Sequence, residues 1–141
     1  MKYEIIRKLK DTASGYVSGG ELGKCFNVSR TAVWKYIEEL REEGYTIEAV
    51  PRKGYRLVDA GDRLNAYEIS DNLGTSIVGS KVLYFDALDS TNNYARKIAA
   101  EGCEDGTAVV ASQQTAGRGR LGRSWESPKD KGIYISVVLR P

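Results

Sequence analysis

Histidine is absent from this chain, and cysteine occurs only twice, at Cys25 and Cys103. Without imidazole there can be no Ser-His-Asp triad or Cys-His dyad, and the two cysteines form no C-x-x-C zinc pair. Both thiols are expected to be free and buried, as in a reducing cytosol. No apolar run reaches the length of a membrane span, and the opening MKYEIIRKLK has no signal-peptide core. A cytoplasmic location with no membrane partner is therefore expected. Charge of one sign is lacking too: 21 Lys and Arg face 19 Asp and Glu, so net charge alone selects no partner. Chemistry here must run on Lys, Arg, carboxylates, hydroxyls, amides and backbone, with no metal site among them.

What is present changes character near VDAGDRLNA. The spacing predicts a first domain over residues 1–60, a linker at 61–64 and a second domain over 65–141. Ile5, Ile6 and Leu9 recur at helical spacing over 3–11. Ser18 and Glu21 form a capping box that opens a short helix burying Leu22 and Cys25. Asn27-Val28-Ser29 reads as a tight turn, with Ser29 capping a longer helix whose stripe is Val33, Ile37 and Leu40 and which Gly44 stops. TIEAV and GYRLV follow as two strands joined by Pro51-Arg52-Lys53. This is a helix-turn-helix with a wing, a DNA-binding arrangement. Its outward face offers Ser29, Arg30, Thr31 and Lys35 to a major groove, while Arg52 and Lys53 at the wing tip reach phosphates. Glu38, Glu39, Glu42 and Glu43 belong to the solvated half of the same helix. Trp34 lies one position off the stripe, so it either shields the flank or touches DNA sugar, and partial burial is expected.

The second domain reads as a short helix over 66–73 capped by Asn65, a strand over 81–85, a helix over about 92–101 and a strand over 107–112. A last strand covers 132–140. Strand, helix and strand with short loops imply a right-handed βαβ crossover. Between the last two strands lies GRGRLGRSW, residues 117–125, with no acid between Asp105 and Glu126. Gly117, Gly119 and Gly122 spell a dinucleotide fingerprint, and Gly117 to Ser124 spell a phosphate loop with Arg in place of Lys. Both patterns need a helix to open next, and RSWESPKDKG with Pro128 and Gly132 does not supply one. The stretch is instead a glycine-punctuated loop whose Arg118, Arg120 and Arg123 offer forked donors to anions, with Trp125 as an aromatic face. It is expected to be mobile when empty and ordered by an anion. Upstream, DSTNN at 89–93 forms a polar strand-to-helix corner.

DSTN, QQTAGRGRLGRSWESP and GIYISVVL together resemble the catalytic domain of biotin protein ligases. With SRTAVWKYIEELREEGY and PRKGYRLV before them, the chain resembles the bifunctional members that also repress the biotin operon. The resemblance implies an α+β protein: a winged helix-turn-helix followed by the first part of a mixed α/β, class II synthetase-like domain. It implies biotin contacts from Ser90, Thr91, Asn92, Gln114, Arg118, Gly119 and Arg120. Arg118, Arg120, Arg123 and Trp125 would hold ATP and the adenylate, with Arg118 and Arg120 catalytic. The implied reaction joins biotin to ATP, with Mg²⁺ arriving on the nucleotide, and passes biotin from biotinyl-5′-AMP to a lysine of the biotin carboxyl carrier protein. The same adenylate would be corepressor, driving a homodimer onto operator DNA.

The family pattern continues past Pro141 with a Lys-Trp-Pro-Asn-Asp type segment and a small β-barrel. On this reading the chain is truncated after its arginine loop and is expected to have little ligase activity alone. Two rival readings stay open: a biotin- or adenylate-sensing regulator without catalysis, and a nucleotide-binding phosphotransferase using the loop as a degenerate cradle.

Overall fold

A computed structural model describes residues 1–12, 15–61 and 64–141. They form two compact units, Met1–Arg63 and Leu64–Pro141. The expected linker at 61–64 includes residues 62 and 63, which lie outside the described residues.

The first unit contains α1 (Lys2–Asp11), α2 (Gly19–Phe26), α3 (Arg30–Glu42), β1 (Thr46–Val50) and β2 (Gly54–Asp59). Helix starts leave main-chain donors unpaired, and serine hydroxyls take them up. The Glu21 amide donates to Ser18 Oγ at 3.0 Å and the Ala32 amide to Ser29 Oγ at 3.1 Å. Asn27 ends α2 in the left-handed region, at φ 53°. One apolar stripe per helix then closes the core: Ile5, Ile6 and Leu9, then Leu22, then Val33, Ile37 and Leu40, all buried with Val17, Tyr45 and Ile47. Each such aliphatic chain contributes roughly 1.5–3 kcal/mol on burial.

Cys25 is exposed, against expectation. A helix of eight residues buries a narrow face, and Leu22 and Gly23 occupy it. Gly23 is there for close approach: a Cβ at this position would stand 2.7 Å from the Val28 carbonyl oxygen across the turn. The β1–β2 hairpin pairs Val50 with Gly54 through Ile47 with Leu57. Val17 adds a bridge on its free edge, donating to the Tyr55 carbonyl at 2.9 Å and accepting from the Tyr55 amide at 2.8 Å.

The second unit contains α4 (Ala66–Ser70), β3 (Val82–Phe85), α5 (Thr91–Ala100), β4 (Ala108–Ala111) and β5 (Tyr134–Val137). The sheet order is β3-β4-β5, with β3 parallel and β5 antiparallel to β4. Parallel neighbours need a crossover, and α5 provides it. All four residues of β4 are buried, as suits a central strand covered on both faces. On the helix side Ala95 and Ile98 pack with Val109 and Val138, flanked by Leu83, Phe85 and a half-buried Cys103. Arg140 closes the helix end, donating to the carbonyls of Ala99 at 3.0 Å and Cys103 at 3.1 Å.

Two elements are shorter than their sequence patterns. The helix expected over 66–73, α4, stops at Ser70 because Asp71 is extended and Asn72 is left-handed, at φ 58°. The last strand keeps only four residues because β4 offers it only four partners.

Candidate functional site

The sequence singled out two surfaces, one in each unit. In the first, Ser29, Arg30, Thr31 and Lys35 are all exposed at the N-terminal half of α3, and Arg52 and Lys53 are exposed at the wing tip. Arg30 and Arg52 line one groove of 560 Å³ together with Ser18, Gly19, Gly20 and Tyr55. Ser29 spends its hydroxyl oxygen on the helix cap. Acids at the C-terminal end of α3 are paired within the unit: Glu38 with Arg41 at 2.6 Å, Glu39 with Lys2 at 3.6 Å, and Glu43, which follows the helix, with both Lys2 and Tyr3. The positive charge at the other end of the helix is thus left uncontested. Trp34 is 53% exposed, more open than its position beside the stripe suggested.

The wing is tied to the preceding loop by Tyr16. Its hydroxyl donates to Glu48 Oε2 at 2.9 Å, and Arg56 reaches the same oxygen at 2.7 Å. The cations of Lys53 and Arg56 stand 5.6 and 5.2 Å from the Tyr16 ring. The Tyr16 hydrogen bond, with help from Arg56, holds the Glu48 carboxyl below its ordinary range. A carboxyl with a depressed folded pKa contributes stability above its unfolded pKa and loses it as pH falls through the folded one. Thermal melting from pH 7 to pH 3 should therefore show Glu48→Gln less stable than the parent at neutral pH and equal to it in acid. A constant gap across that range would remove Glu48 from the wing's anchoring.

In the second unit, Ser90, Thr91, Asn92, Gln114, Arg118 and Trp125 line one cavity of 330 Å³ with Ile133, Tyr134 and Ile135. Local folding explains the convergence. Ser90 caps α5, accepting from the Asn93 amide at 3.3 Å, which sets Thr91 and Asn92 on the first turn. Gln114 is held at both ends. Its Oε1 accepts from the Thr91 amide at 2.8 Å and from Thr91 Oγ1 at 3.2 Å, while its Nε2 donates to Ser127 Oγ at 3.0 Å. Thr91 Oγ1 also shares a hydrogen bond with Ser136 Oγ at 2.9 Å. Buried hydroxyls joined this way give the cavity a fixed polar wall.

Asp89 directly precedes the Ser90 cap. Hydrogen bonds from Asn93 and from the Ser90 amide, then the Arg118 charge, hold its carboxyl below the usual range.

GRGRLGRSW forms a hairpin rather than a helix start. The Gly119 amide donates to the Arg123 carbonyl at 2.7 Å, the Trp125 amide to Gly117 at 2.8 Å, and Arg118 bridges Ser124. Arg120, Leu121 and Gly122 make the tip, where Leu121 has φ 57° and is 94% exposed. Gly119, Arg120 and Arg123 stand outside the cavity lining. All three arginines are exposed, and none makes an ion pair among the described residues.

Residues 84–141 match the biotin/lipoate A/B protein ligase family, and residues 2–56 match an HTH domain. The chain is 43% identical over all of its 141 residues to the bifunctional ligase/repressor BirA of Bacillus subtilis, and 39% identical over 123 residues to the Escherichia coli protein of that name. It spans 43% and 37% of their lengths, less than half of either relative.

Residues 84–141 also hold site residues that the sequence did not announce. Ser127 and Ser136 complete the hydroxyl wall, and Ile133, Tyr134 and Ile135 line the cavity. Strand alternation in GIYISVV set Ser136 and Val138 on one face, a signal that α5 would cover a polar residue beside an apolar one. No helix is long and apolar enough to cross a membrane among the described residues.

Proposed function

We propose that this chain is the DNA-binding and substrate-binding portion of a cytoplasmic biotin protein ligase that also represses the biotin biosynthetic operon. One observation carries the reading: Ser90, Thr91, Asn92, Gln114, Arg118 and Trp125, scattered over 36 positions in sequence, line one cavity beside unpaired guanidiniums. Its hydroxyl and amide wall suits a ureido group, and Trp125 with the two isoleucines suits apolar rings. In the proposed reaction a biotin carboxylate oxygen attacks the α-phosphorus of ATP, the bond to the bridging oxygen breaks, and pyrophosphate leaves. A neutral lysine amine of the carrier protein then attacks the acyl carbon, losing a proton as AMP departs.

Two anions must meet in the first step, so positive charge must be in place before they do. Arg118 stands at the cavity, and Arg120 and Arg123 on the hairpin supply further guanidiniums for the phosphates. Among the described residues no three metal-ligating side chains come together. Mg²⁺ would arrive with ATP, held mainly by the nucleotide phosphates. Biotinyl-5′-AMP filling this cavity would be the corepressor that favours a homodimer on operator DNA.

Calorimetric titration with biotinyl-5′-adenylate tests the substrate half. Arg118→Ala should weaken binding roughly 10- to 100-fold, the worth of one charge-assisted hydrogen bond, with an unchanged melting temperature. Arg30→Ala should keep full adenylate affinity and lose duplex DNA selected from a random pool by the parent chain. Unchanged adenylate affinity in Arg118→Ala defeats the assignment, and loss of both activities in Arg30→Ala defeats the separation into two sites.

A further inference from the structure

We infer that Trp34 is a base-reading residue, its indole lying against a thymine methyl in the major groove. The inference rests on the DNA-binding reading of the first unit and adds to it a specificity determinant.

Trp34 serves neither purpose that usually explains a helical tryptophan. The core of the unit closes with Val33, Ile37 and Leu40, each fully buried, while Trp34 remains 53% exposed. Local helix formation does not call for it either, since Trp is a middling helix former. Its indole N–H has no partner among the described residues.

Its position selects the occupant. At i+4 from Arg30 and i+3 from Thr31, it shares their face of α3, and Lys35 follows it directly. Arg30 itself leans over α2, its guanidinium within 2.9 Å of where a Gly20 Cβ would stand, and opens onto the groove it shares with Arg52. An exposed aromatic bordered by cations on two sides complements a polyanion that carries apolar points. In the major groove of DNA the only such point is the thymine methyl. The acids that would repel the polyanion lie further along α3, where Glu38 and Glu39 are paired with Arg41 and Lys2.

The test removes the methyl rather than the residue, so folding is untouched. A duplex is selected from a random pool by the parent chain, and each thymine is replaced in turn by deoxyuridine. At one position the parent should lose about fourfold in affinity, the worth of one buried methyl-sized group. Trp34→Ala should bind the thymine and uracil duplexes equally there, with Trp34→Phe between the two. In a Trp125→Phe background, Trp34 emission should shift when the selected duplex binds. If Trp34→Ala keeps the parent's discrimination at every position, or the emission does not move while DNA is bound, the assignment of Trp34 is overturned and DNA binding stands. If no duplex is enriched at all, the DNA-binding reading falls and this inference falls with it.

Discussion

Gly117→Ala is expected to lower the affinity for biotinyl-5′-adenylate roughly tenfold or more while leaving the core of the second unit folded. A Cβ at residue 117 would stand 2.5 Å from the Trp125 carbonyl oxygen, 2.6 Å from Ser127 Oγ and 3.1 Å from Gln114 Nε2. The first of these is backbone and cannot swing aside. The two arms of the hairpin must part, at an overpacking cost of about 1–3 kcal/mol. Parting them displaces Trp125 and Arg118 from the cavity and draws Ser127 away from Gln114, so the polar wall loses its register. Misplaced contacts worth about 1.4 kcal/mol amount to a factor of ten in binding. The core cluster of Ala95, Ile98, Val109 and Val138 contains no hairpin residue, so the unit should still fold, with a melting temperature lowered only by the strain at the hairpin. Gly119→Ala is the internal control. There the nearest atom is 3.3 Å away, and a small adjustment accommodates it. Equal effects at 117 and 119 would show that hairpin closure, as opposed to loop composition, is not what the site depends on.

The second large effect concerns the wing. Gly54 has φ +113°, and a Cβ there would lie 2.3 Å from the Val17 carbonyl oxygen and 2.6 Å from Ser18 Cα. Alanine thus meets two penalties, an unfavourable backbone region and a collision with main chain, together roughly 3 kcal/mol. Val17 must let go of Tyr55, whose paired amides and carbonyls hold the wing to the segment before α2. For a unit of this size the melting temperature should fall by roughly 10–20 °C. Arg52 and Lys53 would lose their fixed place beside α3, and the selected duplex should bind with a shallower salt dependence, having lost phosphate contacts. Melting and salt-titrated DNA binding of Gly54→Ala check both parts. A parent-like melt would show that the Val17 bridge does not secure the wing.

Local chemistry carried the sequence reading a long way. Ser18, Ser29 and Asn65 each cap the helix they were expected to cap, and the polar corner DSTNN supplies Ser90 as the cap of α5, because a capping hydroxyl or amide acts within three residues. The rejection of both glycine patterns rested on an equally local fact, the absence of a helix after Gly122, and the chain there makes a single tight turn. What escaped depended on distant partners. Gly117 reads like Gly119 in sequence, and only the return of Trp125 and Ser127 across the hairpin separates them. Ser136 meets Thr91 from 45 positions away. Cys25 was misjudged for a related reason. Whether a residue at the margin of a stripe is covered depends on how far the neighbouring helix extends, and α2 is short.

Each arm of GRGRLGRSW is already committed to the other through main-chain bonds at 117–125 and 119–123. Such a ribbon has few internal rotations left to surrender when a ligand arrives. Movement over the cavity would then be the swing of a stiff flap about Gln114 and Ser127, with three guanidiniums carried as one rigid charge. Association of an anion with that flap would cost reorientation rather than chain ordering, and its rate should fall as ionic strength rises.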